Sequence, residues 1–244
     1  MSRWQAFGIH FGISFAIFLA LAWVIVRVWY PDFFFEIDGG WEGLRIIIGV
    51  DLVLGPLLTL VVYRAGKPGL RTDLTLIGLL QFSCLLAGMW IVYSERPLAL
   101  VYVDGHFYSM SADSYREAER EVPDLDHLAG ASPKRVRVTL PEDAIEQSTI
   151  RSAAFTSGTP LRVLAERYEP LTLSARDIEE AYPLEKIKIR DAEHGKLADW
   201  QRAHPQPLES VAFFPLGSRY RYMFMGYDRQ TLDYIGLLYT PGPL

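Results

Sequence analysis

The chain has 244 residues and a net charge of −5, and half of it is hydrophobic, a high share for a wholly soluble chain that still carries 22% charged residues. Residues 1–93 hold six Lys/Arg and six Asp/Glu, so the excess negative charge belongs entirely to the remainder, and a mildly acidic domain of that kind has no nucleic-acid footprint. The only cysteine, Cys84, excludes an intrachain disulfide framework and a cysteine-rich metal site.

Three stretches, 7–30, 44–63 and 74–93, are each long and apolar enough to cross a hydrocarbon core of ~30 Å at ~1.5 Å per residue. The connection 64–72 carries Arg64, Lys67 and Arg71, whereas 31–43 carries Asp32, Glu36, Asp38 and Glu42 and no base. The positive-inside rule therefore predicts a cytoplasmic N-terminus and a C-terminal part outside the cytoplasm, which in a Gram-negative bacterium is the periplasm. Trp4, Trp29, Tyr30, Trp41, Tyr63, Trp90 and Tyr93 stand near span ends, as interfacial anchors do. Ala20-Leu21-Ala22 imitates a signal-peptide cleavage site. The apolar run continues to Tyr30, longer than a signal h-region, so an uncleaved signal anchor is the expected reading.

Polar groups inside these spans need partners. In the first, Gly8, Gly12, Ala16 and Ala20 recur every four residues and form a small-residue ridge that admits a neighbouring helix, with Arg27 on the same face by angle. In the second, Asp51 is a charge in apolar surroundings, which costs at least about 2.5–3.5 kcal/mol near the bilayer centre, and Gly55 lies one turn away. The short connection makes the two spans antiparallel neighbours. Arg27 stands ~5 Å and Asp51 ~10 Å from the outer helix ends, so a buried Arg27–Asp51 ion pair is expected. The other readings of Asp51 are a partner in another protein, a ligand, or a proton. Gly55-Pro56 removes a backbone hydrogen bond and predicts a kink. Gln81, Ser83 and Cys84 read as packing and hydrogen-bond groups between helices.

Beyond Arg96-Pro97, the apolar runs 98–103 and 106–110 flank Asp104-Gly105, a β-hairpin signal. A helix is predicted over 111–121 with Ser111 as N-cap, then a strand over 136–140. A helix opened by Pro141 runs toward Phe155, and further helical stretches are expected at 160–168, 174–181 and 191–203. The runs 210–216, 220–227 and 232–239 read as a terminal β-meander. The predicted architecture is thus three transmembrane α-helices (domain 1–94) followed by an α+β extracytoplasmic domain (95–244).

Nothing in the second domain carries catalytic spacing. His106, His127, His194 and His204 form no i,i+4 pair, and there is no Gly-x-Ser-x-Gly elbow, phosphate loop or dinucleotide fingerprint. No metal, cofactor or enzymatic activity is expected.

The segment Gly49-Val50-Asp51-Leu52-Val53-Leu54-Gly55-Pro56-Leu57-Leu58-Thr59-Leu60 in a three-helix N-terminal part, followed by Ser94-Glu95-Arg96-Pro97 and an apolar strand, resembles the TfpX/TfpZ type IV pilin accessory proteins. In that family the strand leaving the membrane commonly ends Asp-Arg, where this chain has Asp104-Gly105. The resemblance implies a multi-pass inner-membrane, non-enzymatic protein with a periplasmic domain, which helps a cognate major pilin accumulate or assemble. Its partners would be that type IV pilin and the lipid bilayer, with no nucleic acid. A pilin waits in the membrane as one long apolar helix with a glutamate near its cytoplasmic start. The ridge Gly8, Gly12, Ala16 and Ala20 is the expected docking face, and His10, at about the depth of that glutamate, is a further candidate contact. The alternative from another class is a membrane sensor with an extracytoplasmic ligand-binding domain. It expects a cytoplasmic output module, for which the cytoplasmic segments are too short.

Overall fold

The computed structural model describes residues 2–239, which divide into two compact units, Met1–Arg96 and Pro97–Leu244. The first unit is helical. Helix α1 (Arg3–Val24) starts at a capping box, in which Ser2 and Gln5 exchange side-chain and backbone bonds, and ends in a π turn, Ile25–Trp29. The link to the second span is a packed element rather than a free loop. It contains the single turn α2 (Phe34–Ile37), whose Phe34 and Ile37 are fully buried, and Gly39 at φ 89°, a backbone region glycine enters without strain.

The second span is built from α3 (Gly40–Ile47), a π segment (Ile48–Leu54) and α4 (Gly55–Val62). Pro56 has no N–H to return to the preceding turn, and the chain accommodates this by running in π register up to Gly55, whose own N–H reaches the Val50 carbonyl. The break expected at Gly55-Pro56 therefore takes the form of a π segment containing Asp51. Helix α5 (Leu70–Ser94) is the third span. By length and composition the stretches Arg3–Trp29, Gly40–Val62 and Leu70–Ser94 are candidate membrane crossings.

Each span buries one stripe at helical spacing: Ala6, Ser14 and Ile25 on the first, Gly43, Leu44, Ile47, Asp51, Gly55 and Thr59 on the second, Ile77, Gln81, Gly88 and Val92 on the third. At one end the first and third spans are locked together by Tyr30, whose buried hydroxyl donates to the Val92 carbonyl at 2.7 Å. At Gly43 an added Cβ would lie 2.6 Å from Val92 Cγ2, so glycine there sets how closely the second and third spans approach.

The second unit is a seven-stranded mixed sheet in the order β4-β3-β1-β2-β5-β6-β7. Strands β1 (Pro97–Val103) and β2 (His106–Ser111) form the expected hairpin, with Asp104 and Gly105 both at positive φ (50° and 74°), the turn that matches strand twist. Helix α6 (Ala112–Glu117) follows Ser111 directly and is shorter than the predicted 111–121. Strand β3 (Lys134–Val138) runs parallel to β1, and β4 (Tyr168–Pro170) closes that edge.

Helix α7 (Ala144–Ser157) starts at Asp143, whose carboxylate accepts from the backbone N–H groups of Ile145 and Glu146, so Pro141 precedes the helix instead of opening it. The stretch 160–168 contains only two 3₁₀ turns. Helices α8 (Ala175–Glu179), α9 (Leu184–Asp191) and α10 (Lys196–Ala203) lead to the meander β5 (Val211–Gly217), β6 (Tyr222–Asp228) and β7 (Tyr234–Tyr239). Where one helix over 191–203 is predicted, Gly195 at φ 65° separates two, and the Asp191 carboxylate caps the second by accepting from the N–H groups of Lys196 and Leu197.

The central strands are buried on both faces. On one side Ala99, Val101, Val103, Val136 and Val138 pack with Tyr115 and Tyr168; further along the sheet Val211, Phe213, Phe224 and Leu238 pack with Ile187, Leu197 and Trp200. Tyr102, Phe107, Phe214 and Tyr227 join edge to face and face to face in a separate aromatic group.

Candidate functional site

The residues singled out in the sequence fall on two faces of the first span. Turned inward is a polar stripe. Asp51 is 5% exposed, and its Oδ1 accepts from the Ser14 hydroxyl at 3.2 Å and the Gln81 amide at 3.3 Å, so one carboxylate oxygen ties all three spans together. Gly55 makes the contact with the third span possible. A Cβ on that residue would lie 1.7 Å from Gln81 Nε2, so any larger side chain would occupy the place of the amide. One turn from Ser14 on the first span, His10 Nδ1 stands 2.6 Å from Thr59 Oγ1, a second polar contact between the first and second spans.

This arrangement replaces the expected Arg27–Asp51 pair. Arg27 falls in the π turn at the end of the first span with its side chain exposed, while the groups bonded to Asp51 are Ser14 and Gln81. The physical reason is reach and register. Ser14 sits on the stripe that faces the second span, whereas Arg27 shares the face of the small-residue ridge, which is turned outward. His10 is likewise an internal group, bonded to Thr59, and does not belong to an outward contact face. Ser83 and Cys84 are exposed, leaving Gln81 as the interhelical hydrogen-bond group of that trio.

The opposite face of the first span is open. Gly8, Gly12, Ala16 and Ala20 are all exposed, and a Cβ added at Gly8 or Gly12 would meet nothing within 4 Å. One residue to either side, about 100° around the helix, stand two apolar walls. Phe7, Phe11 and Phe15 stack in sequence at 6.1 Å between centroids, and Ile9, Ile13 and Ile17 are exposed on the other side. The result is a shallow apolar channel with a floor of small residues, a shape that accepts the ridge of another helix. The walls were legible in the sequence as the periodic runs Phe7/Phe11/Phe15 and Ile9/Ile13/Ile17. Ser14 and Thr59 are inward polar groups that sequence reasoning did not single out; the signal for Ser14 was its i,i+4 spacing from His10 and that for Thr59 its spacing of two turns from Asp51.

The sheet unit offers a polar groove of about 680 Å³ whose lining includes Tyr102, Asp104, Arg137, Arg151, Asp177 and Glu180. Two ion pairs occupy it. Arg151 of α7 holds Asp104 with two bonds of 2.7 Å, and Arg137 contacts Asp177 at 3.2 Å while lying over the Tyr102 ring. Burial pushes the Asp177 carboxyl up, but bonds from the Ser174 hydroxyl and N–H, with the Arg137 charge, outweigh it and hold the group below the usual carboxylate range. Burial likewise raises Tyr115, whose hydroxyl meets that of Tyr168 at 2.9 Å, to about 12. Among the described residues no three His, Cys, Asp or Glu side chains are grouped to hold a metal ion. The ion pairs and hydrogen bonds of the groove brace the fold.

Comparison with known proteins places this geometry. Residues 1–39, which include the channel and most of the polar stripe of the first span, match the family described as fimbrial assembly protein FimB. The chain is 36% identical over 129 residues to a fimbrial assembly protein of serogroup E1 from Dichelobacter nodosus, covering 52% of this chain and 47% of that protein. The serogroup I protein of the same organism is 36% identical over 97 residues, with 39% of this chain and 38% of its own length covered. The chain thus spans less than half the length of these two relatives. A third, of serogroups C1 and C2, is 36% identical over 97 residues and is covered over 74% of its length. No solved structure matches. At that identity and coverage, the chain belongs to the fimbrial assembly protein family.

Proposed function

We propose that this protein is an accessory factor of the TfpX/TfpZ kind, acting in the inner membrane to bind a cognate type IV pilin and promote its stability or its assembly into fibres. The observation that carries the reading is the open channel of the first span, built on Gly8, Gly12, Ala16 and Ala20, within the stretch that matches the fimbrial assembly family. A pilin held in the bilayer presents one long apolar helix, and in lipid such helices associate by close packing on small residues, where no hydrophobic driving force helps them. The inward polar stripe serves that face indirectly: Ser14, Asp51 and Gln81 fix the rotation of the first span, and with it the direction in which the channel points. The N-terminus lies in the cytoplasm and the sheet unit in the periplasm, in keeping with the bases of the 64–72 connection.

The test is photocrosslinking in intact membranes. Probes at Gly12 and Ala16 are expected to capture the cognate pilin, while a probe at the inward Ser14 captures none. If no position along the channel yields a pilin adduct at any stage of assembly, the proposal fails. Deleting the protein is expected to reduce surface fimbriae.

A further inference from the structure

The polar contact among the three spans contains a mismatch. Asp51 Oδ1 takes two donors, the Ser14 hydroxyl and the Gln81 amide, both neutral. Asp51 Oδ2 and Gln81 Oε1 are both closed to solvent and have no hydrogen-bond partner, although their residues are only 5% and 7% exposed. Buried polar atoms are nearly always satisfied, so two orphans on one side-chain pair need a physical account. A carboxylate oxygen and an amide oxygen are both acceptors, and two acceptors cannot bond to each other without a hydrogen between them.

The titratable neighbour is His10, which is engaged with Thr59, and Arg27 is exposed at the end of its span. The remaining charged residues bordering the bundle, among them Arg45 in α3, are not bonded to Asp51, whose partners are Ser14 and Gln81. No basic side chain is therefore bonded to the carboxylate, and the ring of the one that acts on it across space, His10, is engaged with Thr59. Because the orphan atoms are closed to solvent, the ligand that fits without moving a helix is the smallest one.

We propose that Asp51 and Gln81 form an intramembrane proton-binding site, in which a proton on Asp51 Oδ2 is donated to Gln81 Oε1 while Gln81 Nε2 donates to Asp51 Oδ1. The pair then closes into an eight-membered acid–amide ring with every donor and acceptor used. Its formation transfers one proton from hydronium in the solvent to the carboxylate: one O–H bond of hydronium breaks, one forms at Asp51 Oδ2, and a water molecule is left behind. A neutral ring also removes the cost of an isolated charge inside the bundle, which an unpaired carboxylate would carry. Gly55 is part of the site in the same sense, because only a residue without a Cβ leaves room for the amide. Whether the pilin docks on the channel does not enter the argument, so this site and the proposed function stand or fall separately.

The experiment is infrared spectroscopy of the whole protein in lipid nanodiscs at neutral pH, with the aspartate side-chain carboxyls isotope-labelled. The expected result is a label-sensitive protonated-acid carbonyl band that shifts in heavy water, since aspartates exposed to water are ionised there. The band should vanish in Asp51→Asn, whose amide reproduces the ring, and should move to higher frequency in Gln81→Leu, which removes the ring partner and leaves the acid. The thermal midpoint of Asp51→Asn should match that of the unaltered protein. Absence of the band from the unaltered protein overturns the site, as does its survival in Asp51→Asn or an unmoved band in Gln81→Leu. The two variants are read separately, so failure of one to fold leaves the other decisive.

Discussion

Asp51 shows what a single residue in a span can and cannot disclose. Its presence among Val and Leu announces a buried polar contact, because an unpaired charge there is too costly to keep. The partners were not legible to the same degree: wheel angles select a face, but they assume a uniform α-helix, and Asp51 sits in a π segment that rotates the residues around it. Arg27 satisfied depth and charge, yet Ser14 and Gln81 hold the oxygen. The most exacting position is Gly55, since a methyl group there would lie 1.7 Å from the Gln81 amide nitrogen. Gly55→Ala is therefore expected to expel Gln81, leave Asp51 with Ser14 alone, and destabilise the helical unit by about 1–3 kcal/mol, the usual range for overpacking a filled site. Thermal unfolding in detergent would measure this. A midpoint equal to that of the unaltered protein would mean that the amide is not seated where the glycine allows it. The double change Gly55→Ala with Gln81→Ala should recover the packing part of the loss, because the small side chain at residue 81 no longer competes for the space.

Among the elements, α7 stands apart. It is a fourteen-residue helix with none of its residues buried, and it displays Ile145 and Phe155, the latter 90% exposed. Its existence was readable from the acids before Ala144 and the Gly158 stop, because capping is local chemistry. Its lack of packing was not readable, since its apolar residues look no different in sequence from those of a core helix. The same distinction holds elsewhere: the hairpin at Asp104-Gly105 and the meander followed from alternation and turn residues, whereas the parallel pairings β1–β3 and β2–β5 join segments far apart in the chain and leave no local mark. What anchors α7 sideways is the two-bonded pair of Arg151 with Asp104. Both side chains are substantially exposed, so the pair is worth only about 0.2–1 kcal/mol to the whole fold. With so little else holding the helix, Arg151→Ala is expected to raise amide hydrogen exchange across 144–157 several-fold while leaving exchange in β1 and β5 unchanged. Unaltered exchange over α7 would show that another contact carries its order.

At the scale of the whole molecule, the two units have different reasons to be stable. The helical unit buries narrow stripes and leaves most of its apolar surface facing outward, the pattern that its three candidate membrane crossings would need in an apolar solvent. The sheet unit holds its own two apolar clusters and an aromatic group, built from strands buried on both faces. A domain of about 150 residues buries enough of its chain to fold alone. Residues 97–244 expressed without the spans are thus expected to be water-soluble and to unfold in one cooperative transition, followed by circular dichroism with heat or urea. The pH dependence of that transition carries a signature. Asp177 is held below its unfolded value of 3.8, so its contribution to stability is fully present above that value and is lost as pH falls through the lower folded-state value. Asp177→Asn should be less stable than the unaltered unit at neutral pH and should approach it in acid below pH 3.8. Parallel curves for the two proteins across that window would show that Ser174 and Arg137 do not favour the charged carboxylate, and a gradual, non-cooperative melt would show that the sheet unit does not fold cooperatively on its own.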